Sequence, residues 1–150
     1  MIYRWWAIIT NVPYRIKWWW QKQTTGYSDV ELWNFDGAIA IYIYKGLQKF
    51  RDNVDRKEHH SLPMSRDPEK DMEAIETNEW LEILDKIIWS FKYAADDHFP
   101  FCSEHATDLI SYEEYDKLER SEKNDLWKAC SEKYDEGIQL FATWFGNFWD

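Results

Sequence analysis

The stretch Ser28 to Arg51, SDVELWNFDGAIAIYIYKGLQKFR, constrains the fold more than any other part of the chain, because it joins a helix start to the longest apolar run. Ser28 followed three residues later by Glu31 has the form of a capping box, in which the hydroxyl accepts from a first-turn amide while the carboxylate reaches back. Apolar residues then fall at Leu32, Phe35, Ile39, Tyr42 or Ile43, Leu47 and Phe50, the steps of three and four that mark one helix face. Trp33, Ala40, Ile41 and Tyr44 widen that face until most of the circumference is apolar, which predicts a helix central to a core. Ile39 and Leu47 are expected deep in it, so that an acid at either position would abolish folding.

Asn34 and Asp36 are polar positions one turn into this run. Inside a core such groups must find partners, so they either pair with a cation from a neighbouring helix or face a wet pocket. Gly37 and Gly46 each weaken the helix by about 1 kcal/mol against Ala, which makes sense where another helix crosses closely. Gly137 beside Glu136 repeats the pattern of Gly37 beside Asp36.

A chain of 150 residues is of ordinary size for a single domain, and one domain over 1–150 is the expectation. Its aromatic content is 19%, with 11 Trp, more large side chains than one small core hides, so some are expected at a ligand site or subunit interface. The net charge of −10 argues against general binding to nucleic acid, where cations supply the affinity. Residues 1–22 nevertheless carry four cations, Arg4, Arg15, Lys17 and Lys22, and no acid, which leaves −14 on the remaining 128 residues. Two cysteines, Cys102 and Cys130, make no disulfide framework, and the broken apolar start resembles neither a cleavable signal nor a membrane span; a cytoplasmic location is expected.

Residues 1–23 read equally as helix or strand, with Asn11 a candidate cap and Pro13 tolerated in a first turn. On a helix the consecutive Trp18, Trp19 and Trp20 point in three directions, so at least one leaves the core side. The segment could pack on the acidic body, lie on a membrane surface, or bind an anionic ligand by stacking on Trp and by the fork of an Arg. The polar residues 52–68 read as an exposed loop, and the adjacent His59 and His60 within it as solvated. From Thr77 the spacing of Trp80, Ile83 or Leu84, Ile87 or Ile88 and Phe91 predicts a second long helix, whose Glu79, Glu82 and Asp85 form a solvated face with a Glu82–Lys86 ion pair. His98, Cys102 and His105 suit zinc by type but lack a fourth partner at ligand spacing. Ser111 and Glu114 form another capping box, followed by apolar positions through Leu126, Ile138, Phe141, Trp144 and Phe148.

Three stretches, YSDVELWNFD, EWLEILDKIIWSF and DEGIQLFATWFGNFWD, together resemble a family of small acidic helical proteins of tailed bacteriophages. The chain departs from that pattern at Lys45 and Gly46, where the family often has Pro-Arg. The resemblance implies a phage origin and, with it, a role in countering host defence.

The expected architecture is an all-α bundle of about four main helices with a basic, Trp-rich N-terminal segment. No nucleophile with an adjacent base, no phosphate loop and no firm metal set stands out, so catalytic, cofactor and metal residues are not expected. The functional expectation is a non-enzymatic protein that sequesters a nucleotide-type immune signal. Arg4, Arg15 and Lys17 would hold its phosphate, Trp18 and Trp33 stack on it, and Asp36 and Glu136 accept from ribose or base. The alternatives are an inhibitor that binds a host protein through exposed Trp and acidic surface, and a metal-dependent nucleotide hydrolase; self-association is compatible with each.

Overall fold

The computed structural model of the chain describes residues 2–56, 62–65, 73–101 and 108–148, with side chains from residue 12 onward. The protein is all-α: α1 (Ile2–Thr25), α2 (Asp29–Trp33), α3 (Phe35–Asp55), α4 (Thr77–Ala95), α5 (Tyr112–Lys117) and α6 (Arg120–Trp144), the last closed by a 3-10 turn at Phe145–Asn147. Four of these are long. The chain divides into two compact units, Met1–Ala38 and Ile39–Asp150.

In the first unit the helix-or-strand ambiguity of the N-terminal segment resolves to helix. It runs through Asn11, which therefore caps nothing, and Pro13 lies inside it. An interior proline removes one backbone hydrogen bond and costs about 3 kcal/mol, so α1 depends on contacts elsewhere for its stability. Gly26, at φ +85°, ends it in the left-handed conformation, donating its N–H to the Lys22 carbonyl. The chain then doubles back, and Lys17–Asp29 (2.7 Å) and Lys22–Glu31 ion pairs tie α1 to α2.

Ser28 starts α2 in the expected capping box with Glu31. The Glu31 carboxylate accepts from both the Ser28 N–H (2.9 Å) and the Ser28 hydroxyl (2.8 Å). Lys22 first, then Ser28, hold the Glu31 carboxyl below its usual range. At Ser111 the same box forms, with Glu114 N–H donating to the Ser111 hydroxyl (3.2 Å) and the Glu114 carboxylate accepting from the Ser111 N–H (2.9 Å).

The run from Ser28 to Arg51 is not one helix. Asn34 leaves the helical conformation at φ −126°, ψ 63°, and its carbonyl accepts from the Ala38 N–H as α3 begins. Asparagine competes for backbone groups within helices and favours their starts, which is the physical reason for the break. Its side chain folds over Gly37, where an added Cβ would sit 2.8 Å from the amide nitrogen, so this glycine accommodates Asn34 and not a crossing helix. Gly46 has no atom of the described residues within 4 Å of an added Cβ, which removes the close crossing expected there too.

The second unit is built on α4, whose buried residues lie along most of its length. It runs antiparallel to α6. Trp80 at its start meets Trp144, with ring centroids 5.5 Å apart, while Tyr93 near its end packs with Cys130 and Tyr134. The later part of α3 also opposes α4, with Ala40, Tyr44 and Leu47 on Ile87, Ile88 and Phe91, and Val54 beside Trp80 and Leu84. The core of the second unit therefore takes α3 at Ala40, Tyr44, Leu47 and Val54. Leu47 is 6% exposed, whereas Ile39 is 40% exposed, which corrects the expectation for Ile39; Leu32, Phe35 and Tyr42 are exposed as well.

The helix crossing anticipated at Gly137 is present. An added Cβ there would overlap the Ser90 hydroxyl and lie 2.6 Å from the Lys86 carbonyl oxygen. Buried Ser90 has the Tyr134 carbonyl of α6 (3.1 Å) and the Lys86 carbonyl of its own helix (3.2 Å) within reach of its hydroxyl. Serine and glycine together let the two backbones approach closely.

Residues 52–55 continue α3, with Val54 buried, so the connection to α4 begins later than expected. Its described parts are anchored. Ser65 N–H donates to the Glu73 carbonyl, Ile75 N–H donates to the Pro63 carbonyl, and Ile75 is buried in the cluster around Trp80.

Candidate functional site

The described candidates fall in both units. Arg15, Lys17, Trp18, Trp33 and Asp36 are in the first, Glu136 is in the second, and the side chain of Arg4 lies outside the described residues. Arg15 projects from α1 into a surface concavity of about 360 Å³ that it lines with Val12, Ile16 and Trp19. It has no ion pair among the described residues, and so differs from Lys17, which Asp29 holds. That contact holds the Asp29 carboxyl below its usual range, with Gln21 adding a second hydrogen bond.

Trp18 is half-buried against Tyr14 at 6.2 Å, while Trp19 and Trp20 face outward, so the three consecutive tryptophans diverge as expected for a helix. Trp33 is 93% exposed at the end of α2, and Tyr27, Val30, Leu32 and Phe35 around it in sequence are each close to half exposed. Five large apolar residues within nine positions thus remain uncovered. Asp36 is exposed, and neither it nor Asn34 is the buried polar group the apolar run suggested.

Glu136 accepts from Lys86 at 2.7 Å, a bond between α6 and α4. Lys86 therefore serves a cross-helix pair and not the expected intrahelical one with Glu82. Asp85 likewise accepts from Arg51 Nε and Nη2 (3.0 and 3.3 Å), and this raises the Arg51 guanidinium above its ordinary value. Among the described residues no group of three metal-ligating side chains comes together. Cys102, His105, His59 and His60 lie outside the described residues.

His98 belongs to a packed cluster at the end of α4. Asp97 and His98 adopt positive φ of 58° and 61°, and the His98 N–H donates to the Tyr93 carbonyl. Its ring meets Tyr134 edge-on at 4.8 Å and Tyr93 at 5.4 Å. Beside them Lys133 Nζ stands 3.8 Å over the Trp89 ring, and the Trp89 indole N–H donates to Asp108 at 2.8 Å. Lys133 closes the triangle to Asp108 at 3.7 Å. Burial pushes the Cys130 thiol up, which makes it a poor nucleophile at neutral pH.

Burial also pushes the Tyr93 hydroxyl up to about 12. Tyr93 is buried and its hydroxyl has no hydrogen-bond partner among the described residues. A raised pKa in the folded state means that this stabilisation is complete below the ordinary tyrosine value of about 10 and is lost as pH rises through the folded value. The second unit is therefore expected to lose stability as pH rises from about 10 to about 12. Tyr93→Phe should move that transition upward with unchanged or higher stability at pH 7, because a buried hydroxyl without a partner contributes a penalty. Thermal melts across the alkaline range check this.

Comparison with protein-family models, with curated proteins and with solved structures gave no match. No helix among the described residues is long and apolar enough to cross a membrane. The spacing of Val12, Ile16 and Trp19 in steps of four and three is the sequence signal of the α1 concavity.

Proposed function

We propose that this chain is a binding protein without a chemical step of its own, and that it engages a protein partner through the apolar residues around Trp33. The observation that carries this reading is the 93% exposure of Trp33 at the end of a short, capped helix. Tryptophan is the residue type most enriched among the side chains that dominate binding energy, and uncovered apolar patches mark interaction sites. The resemblance to tailed-phage proteins supports a host protein of the cytoplasm as that partner, with inhibition of a defence function as the consequence.

Sequestering of a nucleotide-type immune signal is the second reading, favoured by Arg15 beside Trp19 in one concavity. Ligand sites bury most of a small molecule's surface, whereas the four residues lining this concavity all come from α1, so the protein partner is preferred.

Native mass spectrometry of the protein purified from its host separates the two. A stoichiometric polypeptide is expected, lost at least about ten-fold in Trp33→Ser, the effect of removing a hot spot worth more than about 1.4 kcal/mol. The melt should be almost unchanged, since exposed substitutions usually stay within about 0.5 kcal/mol. A retained nucleotide, or a polypeptide held equally by Trp33→Ser, would overturn the reading.

A further inference from the structure

We propose that α1 is a self-association helix that pairs in parallel with α1 of a second copy of this chain. Val12, Ile16 and Trp19 stand on one face at spacings of four and three, and they are uncovered, with Ile16 62% and Trp19 60% exposed. In the sequence the same alternation continues upstream through Ile9, Trp5 and Ile2, so it holds without a break from residue 2 to residue 19. Packing on a straight surface follows the 3.6-residue turn, while a sustained repeat of 3.5 is the pattern of a helix that supercoils with another. Ile2, Ile9 and Ile16 then occupy the a positions of a heptad and Trp5, Val12 and Trp19 the d positions. Ile at every a position meets one half of the pattern that favours two parallel strands, β-branched at a with Leu at d, while d here holds Trp and Val.

The concavity on α1 fits the same partner. Its four lining residues, Val12, Arg15, Ile16 and Trp19, are the d, g, a and d positions of successive turns. Four residues in that arrangement form the hole that receives an a-position knob from a parallel helix. At this level the knob is Ile16 of the second copy.

Charge selects the orientation. The g positions hold Arg15 and Lys22, and an antiparallel pair would set g against g, cation facing cation. A parallel pair instead brings each g toward the e position of the next heptad, which places Arg15 over Trp20 of the second copy. Trp20 is exposed, and a guanidinium over an indole face is the stronger form of cation–π contact. Pro13 takes an e position, on the rim of the seam and outside it.

Light scattering on the full chain tests the idea. The expected mass is twice 18.4 kDa, falling to 18.4 kDa in Ile16→Glu and in Val12→Glu while the melt of the second unit is retained. Trp33→Ser, outside the stripe, should leave the dimer intact, so failure here is distinguishable from failure of the Trp33 interface. In a Cys102→Ser background, Ile16→Cys should cross-link the dimer under mild oxidation, because a faces a only in a parallel pair. A wild-type chain that stays at 18.4 kDa in solution overturns the proposal. A dimer that survives Ile16→Glu also overturns it, and a dimer that Ile16→Cys fails to cross-link overturns the parallel arrangement.

Discussion

Gly137→Ala is expected to destabilise the second unit by about 2 to 4 kcal/mol, although alanine is the better helix former. The intrinsic gain from replacing a helical glycine is about 1 kcal/mol. Against it stands a methyl group that would overlap the Ser90 hydroxyl and lie 2.6 Å from the Lys86 carbonyl oxygen, which is backbone and cannot rotate away. Overpacking of this kind costs about 1 to 3 kcal/mol, and separating the helices also weakens the contact of Ser90 with the Tyr134 carbonyl, leaving buried polar groups short of partners at about 1 to 3 kcal/mol more. The sum is a large part of the roughly 5 to 15 kcal/mol that holds a domain together. Ser90→Gly should restore part of the loss by removing one of the colliding side chains. A double-mutant cycle followed by denaturant melts measures the coupling, and additivity of the two changes would show that the helices do not meet there.

Leu47→Asp is expected to leave the second unit unfolded at room temperature, while Ile39→Asp on the same helix costs no more than about 1 kcal/mol. Leu47 is 6% exposed among Tyr44, Ile87 and Phe91, and a carboxylate there must be buried without a partner. Arg51, one turn on, already holds Asp85, so it is not available to neutralise the new charge without giving up that pair. Ile39 is 40% exposed and lies in the first turns of α3, where a carboxylate is favoured by the helix dipole. Circular dichroism melts of both variants decide it. Equal loss in the two would restore the uniformly buried helix suggested by the sequence pattern.

The local features were readable because they depend on neighbours in sequence. The helix starts at Ser28 and Ser111 follow from a carboxylate three residues away, and α4 follows from its apolar spacing. The crossing at Gly137 was also readable, because a glycine that a helix retains at a cost implies a neighbour too close for a methyl group. The same inference failed at Gly37 and Gly46, because a missing Cβ does not say what occupies the space; at Gly37 it is Asn34, three residues away.

Periodicity shows which side of a helix is apolar but not how far along the helix a partner reaches. Only the tertiary structure decided that α3 is buried against the second unit's core at Ala40, Tyr44 and Leu47 and left exposed at Ile39. It also decided which charges remain available. Lys17, Lys22 and Glu136 are ordinary surface ions in the sequence, and each is taken by a partner 9 to 50 residues away, whereas Arg15 is in no ion pair among the described residues. Ion pairing of this kind depends on distances of a few ångströms between separate helices, and those are set by how the helices pack.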